Sequence, residues 1–311
     1  MNDLGYVAAG AFPIKLVRCK DAIIDGRIVP YHLQLFPTNR CNKNCPFCSC
    51  LKIDRRLELS FNEIKQILDY FRKLGSKAIT ISGGGEPTLH QNLNDILLYA
   101  KLLGYEIGLV SNGVLWSKKG NFDIANNTLT WSRLSVTDDT INNIEIYANN
   151  LLYVDVGLSY VVVEDTNVDN VSRIFKVAES IKNLTHIRLV TNINKNKLEN
   201  VLLNIKNSIG YLSTKAIYQC RDESVRGTSN CLISLLKPVI AADGYLYPCC
   251  GVQYASGISL DMPKQYRMGK WSEYEKMVGF NGSICDKCYY SKYNQILEVL
   301  IVKKLKHLSF L

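Results

Sequence analysis

The stretch Cys41-Asn-Lys-Asn-Cys45-Pro-Phe-Cys48 places three cysteines on one short segment, shortly after the apolar run His32-Leu-Gln-Leu-Phe36. Three residues separate the first pair of cysteines and two residues separate the second pair. A [4Fe-4S] cluster normally takes four cysteine ligands, so a loop with three leaves one iron open to bind another molecule. The apolar run predicts a buried β-strand, and the cysteines predict a reactive metal centre at its end.

A second motif, Ile79-Thr-Ile-Ser-Gly83-Gly84-Gly85-Glu86-Pro87, ends a β-branched run in three glycines and a carboxylate. Glycine has no Cβ, so its backbone can approach a small molecule closely and adopt a positive φ. The negative charge of Glu86 suits an ammonium group. The motif therefore predicts a strand end that contacts a ligand.

Together, the two motifs resemble the signature of radical S-adenosylmethionine (SAM) enzymes, including the aromatic Phe47 just before the third cysteine. The resemblance implies that Cys41, Cys45 and Cys48 hold a [4Fe-4S] cluster whose open iron chelates the amino and carboxylate groups of SAM. It implies that Phe47, the three glycines and Glu86 belong to the cofactor site. It also implies that the cluster cleaves SAM to a 5′-deoxyadenosyl radical, which removes a hydrogen atom from the substrate.

A zinc site is the alternative for the cysteine loop. Zinc sites are usually built from paired C-x2-C units with a fourth ligand nearby. Cys50 lies only two residues beyond Cys48, too close to wrap the same metal comfortably. The spacing therefore favours the iron-sulfur interpretation.

Length and composition fit an enzyme with one large domain and one small one, because 311 residues with 47% hydrophobic content can bury a sizeable core. No apolar run reaches the roughly 18 residues of a membrane span. The start, Met1-Asn-Asp-Leu-Gly5, lacks the regions of a signal peptide. Without export, the 11 cysteines indicate cluster ligands rather than disulfides. We expect a cytoplasmic protein that does not contact a membrane.

Strand-like and helix-like segments alternate along the middle of the chain, which predicts parallel β/α units. The candidate strands span residues 32–38, 77–82, 106–111, 133–137, 155–163 and 186–193, and the candidate helices span 60–75, 92–103, 138–150, 168–182 and 195–209. The first helix begins with the capping box Ser60-Phe-Asn-Glu63. The expected fold class is α/β, a partial (β/α)6 TIM-like barrel with a small C-terminal iron-sulfur domain.

The predicted domains are an N-terminal hairpin or cap at residues 1–30, the partial barrel at 31–213, and an auxiliary cluster domain with a C-terminal helix at 214–311. Asp25-Gly26 between two short β-prone runs predicts the tight hairpin. Reactive groups of β/α barrels sit at the C-terminal ends of the strands, so we expect the cluster and SAM on one face.

Polar residues near other strand ends belong to the expected SAM pocket by the same resemblance: Asn112, Arg133, Ser135 and Asn192. The chain departs from the family at Thr137, where relatives often carry aspartate. The alternative for Asn112 is a turn residue, and the alternative for Arg133 is a solvated strand end.

A second group of cysteines lies in the last third of the chain. Twelve residues separate Cys231 from Gly244, four separate Gly244 from Cys249, and 35 separate Cys249 from Cys285-Asp-Lys-Cys288. This spacing resembles the SPASM/twitch extension of radical SAM enzymes, in its truncated form with one auxiliary [4Fe-4S] cluster. The alternative is a four-cysteine zinc site.

Cys250 is adjacent to Cys249 and is left over when seven cysteines are assigned as ligands. The Pro-Cys-Cys sequence resembles that of radical SAM peptide epimerases, where an unligated cysteine returns a hydrogen atom to the substrate radical. Cys250 is therefore the candidate catalytic residue, with a buried core thiol as the alternative. Cys50 and Cys220 are weaker candidates, and a buried thiol is the expectation for Cys19.

The substrate is poorly specified. A net charge of +9 and a pI near 8.9 favour anionic partners, but the densest basic cluster, around Lys303 and Lys304, suits a solvated helix face. The first hypothesis is epimerisation or dehydrogenation of a peptide or sugar-like substrate, with flavodoxin or ferredoxin as electron donor. The alternatives are nucleotide, tRNA or DNA modification by radical SAM chemistry, and a non-catalytic iron-sulfur or zinc protein.

Overall fold

The computed structural model describes residues 8–50, 53–116, 121–193, 195, 197–209, 215–221, 225–252 and 264–301. The basic cluster around Lys303 and Lys304 lies outside the described residues. Within them, no helix combines the length and the apolar character that crossing a membrane requires.

The N-terminal segment forms a helix and a hairpin. Helix α1 spans Ala8–Arg18, and strands β1 (Ile23–Ile24) and β2 (Arg27–Ile28) pair in an antiparallel arrangement. Asp25 and Gly26 have φ angles of 50° and 75°, as a tight turn between two residue pairs requires. The predicted hairpin is confirmed, whereas helix α1 was not predicted from the sequence.

Six parallel strands follow, close to the positions predicted: β3 (His32–Leu35), β4 (Ala78–Ile81), β5 (Glu106–Ser111), β6 (Trp131–Val136), β7 (Asp155–Val162) and β8 (Leu184–Thr191). Each strand pairs in parallel with the next one along the chain. The predicted α/β class and partial barrel are therefore confirmed.

Four further short strands extend this sheet: β9 (Ala216–Gln219), β10 (Val239–Ile240), β11 (Tyr245–Tyr247) and β12 (Gly269–Lys270). The order across the ten-stranded sheet is β12-β11-β10-β3-β4-β5-β6-β7-β8-β9. Strand β10 runs parallel to β3, and β11 returns antiparallel to β10. The sheet is thus continuous across residue 213, and the division into three domains stays a prediction.

Helices cover the outer face of the sheet: α2 (Phe61–Lys73), α3 (Leu93–Leu102), α4 (Phe122–Thr128), α5 (Ile141–Asn150), α6 (Val168–Glu179) and α7 (Glu199–Ile209). The hydroxyl of Ser60 accepts a hydrogen bond from the Glu63 amide at 3.2 Å, which confirms the predicted N-cap of α2. Alternate strand residues such as Ile79 and Ile81 pack into the large core beneath these helices. The other residues of each strand point into the barrel.

The C-terminal helices α8 (Ile233–Leu236) and α9 (Ser291–Ile301) pack with α1 and the hairpin into a second core. Leu297 of α9 is fully buried there. Leu300 of the same helix is 55% exposed. This core closes the N-terminal end of the barrel.

Candidate functional site

The three-cysteine loop follows the C-terminal end of β3, and Cys41, Cys45 and Cys48 are all half-buried in it. The Cys48 amide donates to the Cys45 carbonyl at 3.0 Å, and the Cys50 amide donates to Cys48 Sγ at 3.4 Å. A side-chain hydrogen bond from Cys50 lowers the pKa of Cys48 to about 6, while burial raises the pKa of Cys45. Cys48 thus lies in surroundings that favour a thiolate, the form that binds metals.

The glycine motif packs directly on this loop. The Gly85 amide donates to the Thr38 carbonyl at 3.1 Å, and the Glu86 amide donates to the Arg40 carbonyl at 2.7 Å. A Cβ atom on Gly85 would lie 2.0 Å from the Arg40 carbonyl oxygen. The expectation of a positive φ is wrong for Gly83, Gly84 and Gly85. Gly85 is required because the backbones of the two loops approach each other closely, whereas a Cβ atom on Gly84 would meet the side chains of Asn39 and Ile53.

Glu86 is only 3% exposed and links its own loop to the end of β5. Its Oε1 accepts from Ser111 Oγ at 2.7 Å and from the amide and hydroxyl of Thr88 at 3.1 and 2.7 Å. Its Oε2 accepts from the Asn112 amide at 2.8 Å. Burial raises the pKa of Glu86, and these hydrogen bonds act in the opposite direction.

Two more contacts tie the cysteine loop to neighbouring strand ends. Asn112 Nδ2 donates to Oδ1 of Asn42, which lies between the first two cysteines, at 2.8 Å. Lys43 in the same loop forms an ion pair with Asp139, in the turn that follows β6. Loops after β3, β4, β5 and β6 therefore form one connected face at the C-terminal end of the barrel.

The remaining residues of the expected SAM pocket are spread along this end of the barrel. Phe47 is half-buried in the cysteine loop, Ser135 is exposed near the end of β6, and Asn192 is buried just after β8. Arg133 lies deeper, at the third position of β6, where it lines the barrel interior. The structure therefore separates Arg133 from the strand-end residues, and its role towards SAM stays a prediction.

The barrel encloses a cavity of about 570 Å³, lined by the N-terminal halves of the strands together with α1, α8 and α9. Gly157 makes room in it, because a Cβ there would lie 2.4 Å from the His186 ring. Arg133, His186 and Lys237 all line this space. It extends from the sheet interior towards the core that closes the barrel.

The four C-terminal cysteines come together, although they are distant in sequence. A small cavity is lined by Cys231, Cys249, Cys285 and Cys288. The Gly227 amide donates to the Cys285 carbonyl at 2.9 Å, and the Cys231 amide donates to the Phe280 carbonyl at 2.9 Å. Burial raises the pKa of Cys231 to about 12 and that of Cys285 to about 11.

Polar groups also reach the sulfur atoms of this cavity. Asn294 is 2% exposed, and its Nδ2 lies 3.7 Å from Cys231 Sγ while its Oδ1 accepts from the Ile233 amide at 2.8 Å. The Gly251 amide donates to Cys249 Sγ at 3.3 Å. Amide donors to ligand sulfurs are typical of iron-sulfur sites.

The two cysteine groups lie at opposite ends of the barrel. Val239 of β10 pairs with both Gln34 of β3 and Tyr247 of β11, and β11 runs back towards the start of β3. Cys249, two residues beyond β11, therefore lies at the N-terminal end of β3, whereas Cys41 follows its C-terminal end. The large cavity lies between the two groups.

Cys250 contacts Tyr290, which lines the large cavity. Its Sγ lies 3.2 Å from the Tyr290 hydroxyl, and Cys250 packs against the small core around Tyr247. Tyr290 lines both the four-cysteine cavity and the barrel cavity. Cys19, expected to be a plain buried thiol, is half-buried and lines the barrel cavity directly.

Several of these residues are not indicated by any sequence pattern. Tyr290 lies two residues after Cys288 and Lys237 precedes a proline, but neither pattern indicates a site. Only the tertiary contacts bring them together.

The donor sets suit iron-sulfur clusters, since three thiols lie on one loop and four line one cavity. Within the described ranges, no three or more His, Cys, Asp or Glu side chains converge closely enough to hold a single metal ion. Cys41, Cys45 and Cys48 would hold one group, and the four distant cysteines the other.

Residues 35–142 match the family model described as the Radical SAM superfamily. A curated relative, the S-adenosylmethionine-dependent nucleotide dehydratase of Selenomonas ruminantium, is 26% identical over 167 residues, which cover 53% of this chain and 58% of the relative. The chain thus spans less than two thirds of that relative.

Two solved structures share the fold. Streptococcus suis SuiB bound to its precursor peptide SuiA aligns with a TM-score of 0.58 at 15% identity, over 96% of this chain and 70% of SuiB. Native anSMEcpe with bound AdoMet and the Cp18Cys peptide aligns with a TM-score of 0.55 at 14% identity, over 89% of this chain and 84% of that chain.

Proposed function

This chain belongs to the radical SAM superfamily, and we propose that it is a radical SAM enzyme whose substrate occupies the barrel cavity. The observation that carries the proposal is the position of this cavity, between the three-cysteine loop at one end of the barrel and the four-cysteine cavity at the other. Tyr290 lines both the barrel cavity and the four-cysteine cavity, which supports a connection between the two. The match covers residues 35–142, so the activity of the whole chain is inferred from the site.

In this proposal, Cys41, Cys45 and Cys48 hold a [4Fe-4S] cluster which, when bound, supplies the electron that cleaves SAM to a 5′-deoxyadenosyl radical. The hydrogen bonds of Glu86 support a role for its carboxylate in binding the SAM ammonium group. Its Oε1 accepts three hydrogen bonds and its Oε2 accepts one, so Oε2 retains acceptor capacity. Asn112, Ser135 and Asn192 lie near the same end of the barrel and are proposed to contact SAM.

Cys231, Cys249, Cys285 and Cys288 are proposed to hold an auxiliary [4Fe-4S] cluster of the twitch type. Four protein ligands leave no open iron, so this group would accept or donate electrons rather than bind substrate. Tyr290 separates it from the barrel cavity. We infer a reducing cytoplasmic setting, in which the thiols stay unoxidised, and an electron donor such as flavodoxin or ferredoxin.

The reaction proposed is epimerisation or dehydrogenation of a peptide or sugar-like substrate. The structures of SuiB and anSMEcpe contain bound peptides, which supports the peptide class. In the epimerase form, Cys250 returns a hydrogen atom, and its contact with Tyr290 connects it to the cavity. Cys19 is a second candidate donor because its side chain lines the cavity directly.

A nucleotide substrate is the second candidate, favoured by the nucleotide dehydratase relative. Incubation with nucleoside triphosphates, and separately with peptides encoded beside the gene, distinguishes the two. Consumption of SAM that depends on one substrate class, and not on the other, decides between them.

Anaerobic reconstitution tests the enzyme proposal. We expect about eight irons per chain, from two four-iron clusters, and formation of 5′-deoxyadenosine when a reductant and SAM are added. Binding of zinc without SAM cleavage would instead support the non-catalytic metal protein.

The hydrogen donor is tested in D2O with the true substrate. An epimerase leaves one deuterium on the inverted carbon, and Cys250→Ala abolishes this while 5′-deoxyadenosine still forms. If only Cys19→Ala loses the deuterium, Cys19 is the hydrogen donor. Normal turnover in both variants favours dehydrogenation.

A further inference from the structure

Positively charged side chains line the lower half of the barrel cavity, which is the part next to the core that closes the barrel. They are Lys237, which follows α8, Arg133 of β6, and Lys15 of α1. Burial lowers the pKa of Lys237, and the nearby charges of Arg133 and Lys15 lower it further. The three cations therefore converge on one region.

Both histidines of the cavity are affected by these cations. Burial lowers the pKa of His32, and the charges of Lys237 and Lys15 lower it further. Burial lowers the pKa of His186 to about 4, with Arg133 and Arg188 as further causes. Both rings are therefore neutral near pH 7 and add no positive charge to the cavity.

Acidic groups do not neutralise Lys237. Glu106 and Asp155 line the cavity, but each is the first residue of its strand and is exposed. Within the described residues, no carboxylate lies within ion-pair distance of Lys237. Lys237 is half-buried, and a cation partly removed from water without a counter-ion is costly, so an anion in the cavity would offset that cost.

The backbone holds Lys237 in place. Its amide donates to the Ile233 carbonyl at 2.8 Å, and the carbonyl of the next residue, Pro238, accepts from the Gln34 amide at 2.9 Å. Arg133 is fixed within β6, in register with Val110 and Gly157. Both cations therefore extend from rigid elements into the same space.

We propose that Lys237 and Arg133 bind an anionic group of the substrate, a carboxylate or a phosphate, in the lower half of the barrel cavity. That the occupant is the substrate rests on the proposed function, whereas the anion site itself does not. Such a contact would place the rest of the substrate towards the strand ends that carry Glu86 and the three-cysteine loop. Neutral sugars would lack this contact and be disfavoured.

Calorimetric titration of the reconstituted full-length protein tests the site, with saturating SAM present to fill the cofactor site. Inorganic phosphate and succinate are the probes, and they distinguish the phosphate from the carboxylate source. A charged hydrogen bond contributes about 1.5–3 kcal/mol, so Lys237→Met should weaken binding of the preferred anion about tenfold to a hundredfold. Lys237→Arg should largely restore it.

Lys176→Met is the matched control, because Lys176 is exposed on α6 and its loss changes the net charge equally. The proposal is overturned if wild type binds neither anion, or if Lys237→Met and Lys176→Met bind alike. Should Lys237→Met fail to fold by circular dichroism, Lys237→Gln, which keeps a polar side chain, replaces it.

Reductive cleavage of SAM is measured on the same samples. Anion binding without 5′-deoxyadenosine would refute the proposed enzyme and leave the anion site standing. Formation of 5′-deoxyadenosine without anion binding would refute the anion site and leave the proposed enzyme standing.

Discussion

Glu86 Oε2 accepts the backbone amide of Asn112 at 2.8 Å, and this bond joins the glycine loop after β4 to the end of β5. The side chain of Asn112 in turn donates to Asn42 of the cysteine loop at 2.8 Å. Glu86 therefore contributes to the shape of the whole C-terminal face, in addition to any contact with SAM.

Glu86→Gln should destabilise this face, because the amide group presents an NH2 where the carboxylate accepts hydrogen bonds. Leaving buried donors unpaired costs about 1–3 kcal/mol of unfolding free energy. Chemical denaturation and SAM binding measure the two effects, and the exposed Glu179→Gln on α6 is the control. Equal stability and equal SAM affinity in the two variants would contradict this role.

Gly85→Ala should damage the first cluster site more than Gly84→Ala. The new Cβ at position 85 meets the Arg40 carbonyl at 2.0 Å, whereas at position 84 it meets side-chain atoms of Asn39 and Ile53, which can move. Overpacking costs about 1–3 kcal/mol. We expect iron content to fall from about eight towards about four per chain only in Gly85→Ala, and similar iron content in both variants would be evidence against it.

Cys249→Ala and Cys250→Ala should differ in iron content although the residues are adjacent. Cys249 lines the four-cysteine cavity, while Cys250 contacts Tyr290 instead. Loss of one ligand should leave about four irons per chain in Cys249→Ala, and Cys250→Ala should keep about eight. A full complement of iron in Cys249→Ala would show that the ligand assignment is wrong.

Asn294→Leu should shift the reduction potential of the auxiliary cluster to lower values, because a donor near Cys231 Sγ stabilises the more negative reduced state. It also leaves the Ile233 amide without its acceptor, which costs about 1–3 kcal/mol. Redox titration followed by EPR measures the potential. Gln295→Leu, at the exposed neighbouring position, should leave the potential unchanged.

His186→Gln should reduce the dependence of stability on pH. Burial and the charges of Arg133 and Arg188 lower the folded-state pKa of His186 from 6.5 to about 4. Between these values the unfolded chain binds more protons, so stability rises with pH across this window. Anaerobic denaturation from pH 5 to 6.5 should show a smaller slope in the variant. Some slope remains from His32, whose pKa is lowered as well, and an unaltered slope would exclude His186 as a contributor.

The sequence by itself determined the local features. Cysteine spacing and the Ser60 cap depend on neighbours within a few residues, and apolar runs of four to eight residues identified the six parallel strands. Strands β9 and β12, of four and two residues, were not among the candidate strands. Such short segments form only because a neighbouring strand supplies their hydrogen bonds.

The tertiary structure decided how these parts work together. Pairing of β10 with β3 puts Cys249 at the opposite end of the barrel from Cys41, and the closing core brings Lys237 and Tyr290 to the same cavity as Arg133. These relations join residues 53 to 208 positions apart in the chain. No local pattern encodes them, because they arise from packing and strand register, which are properties of the whole fold.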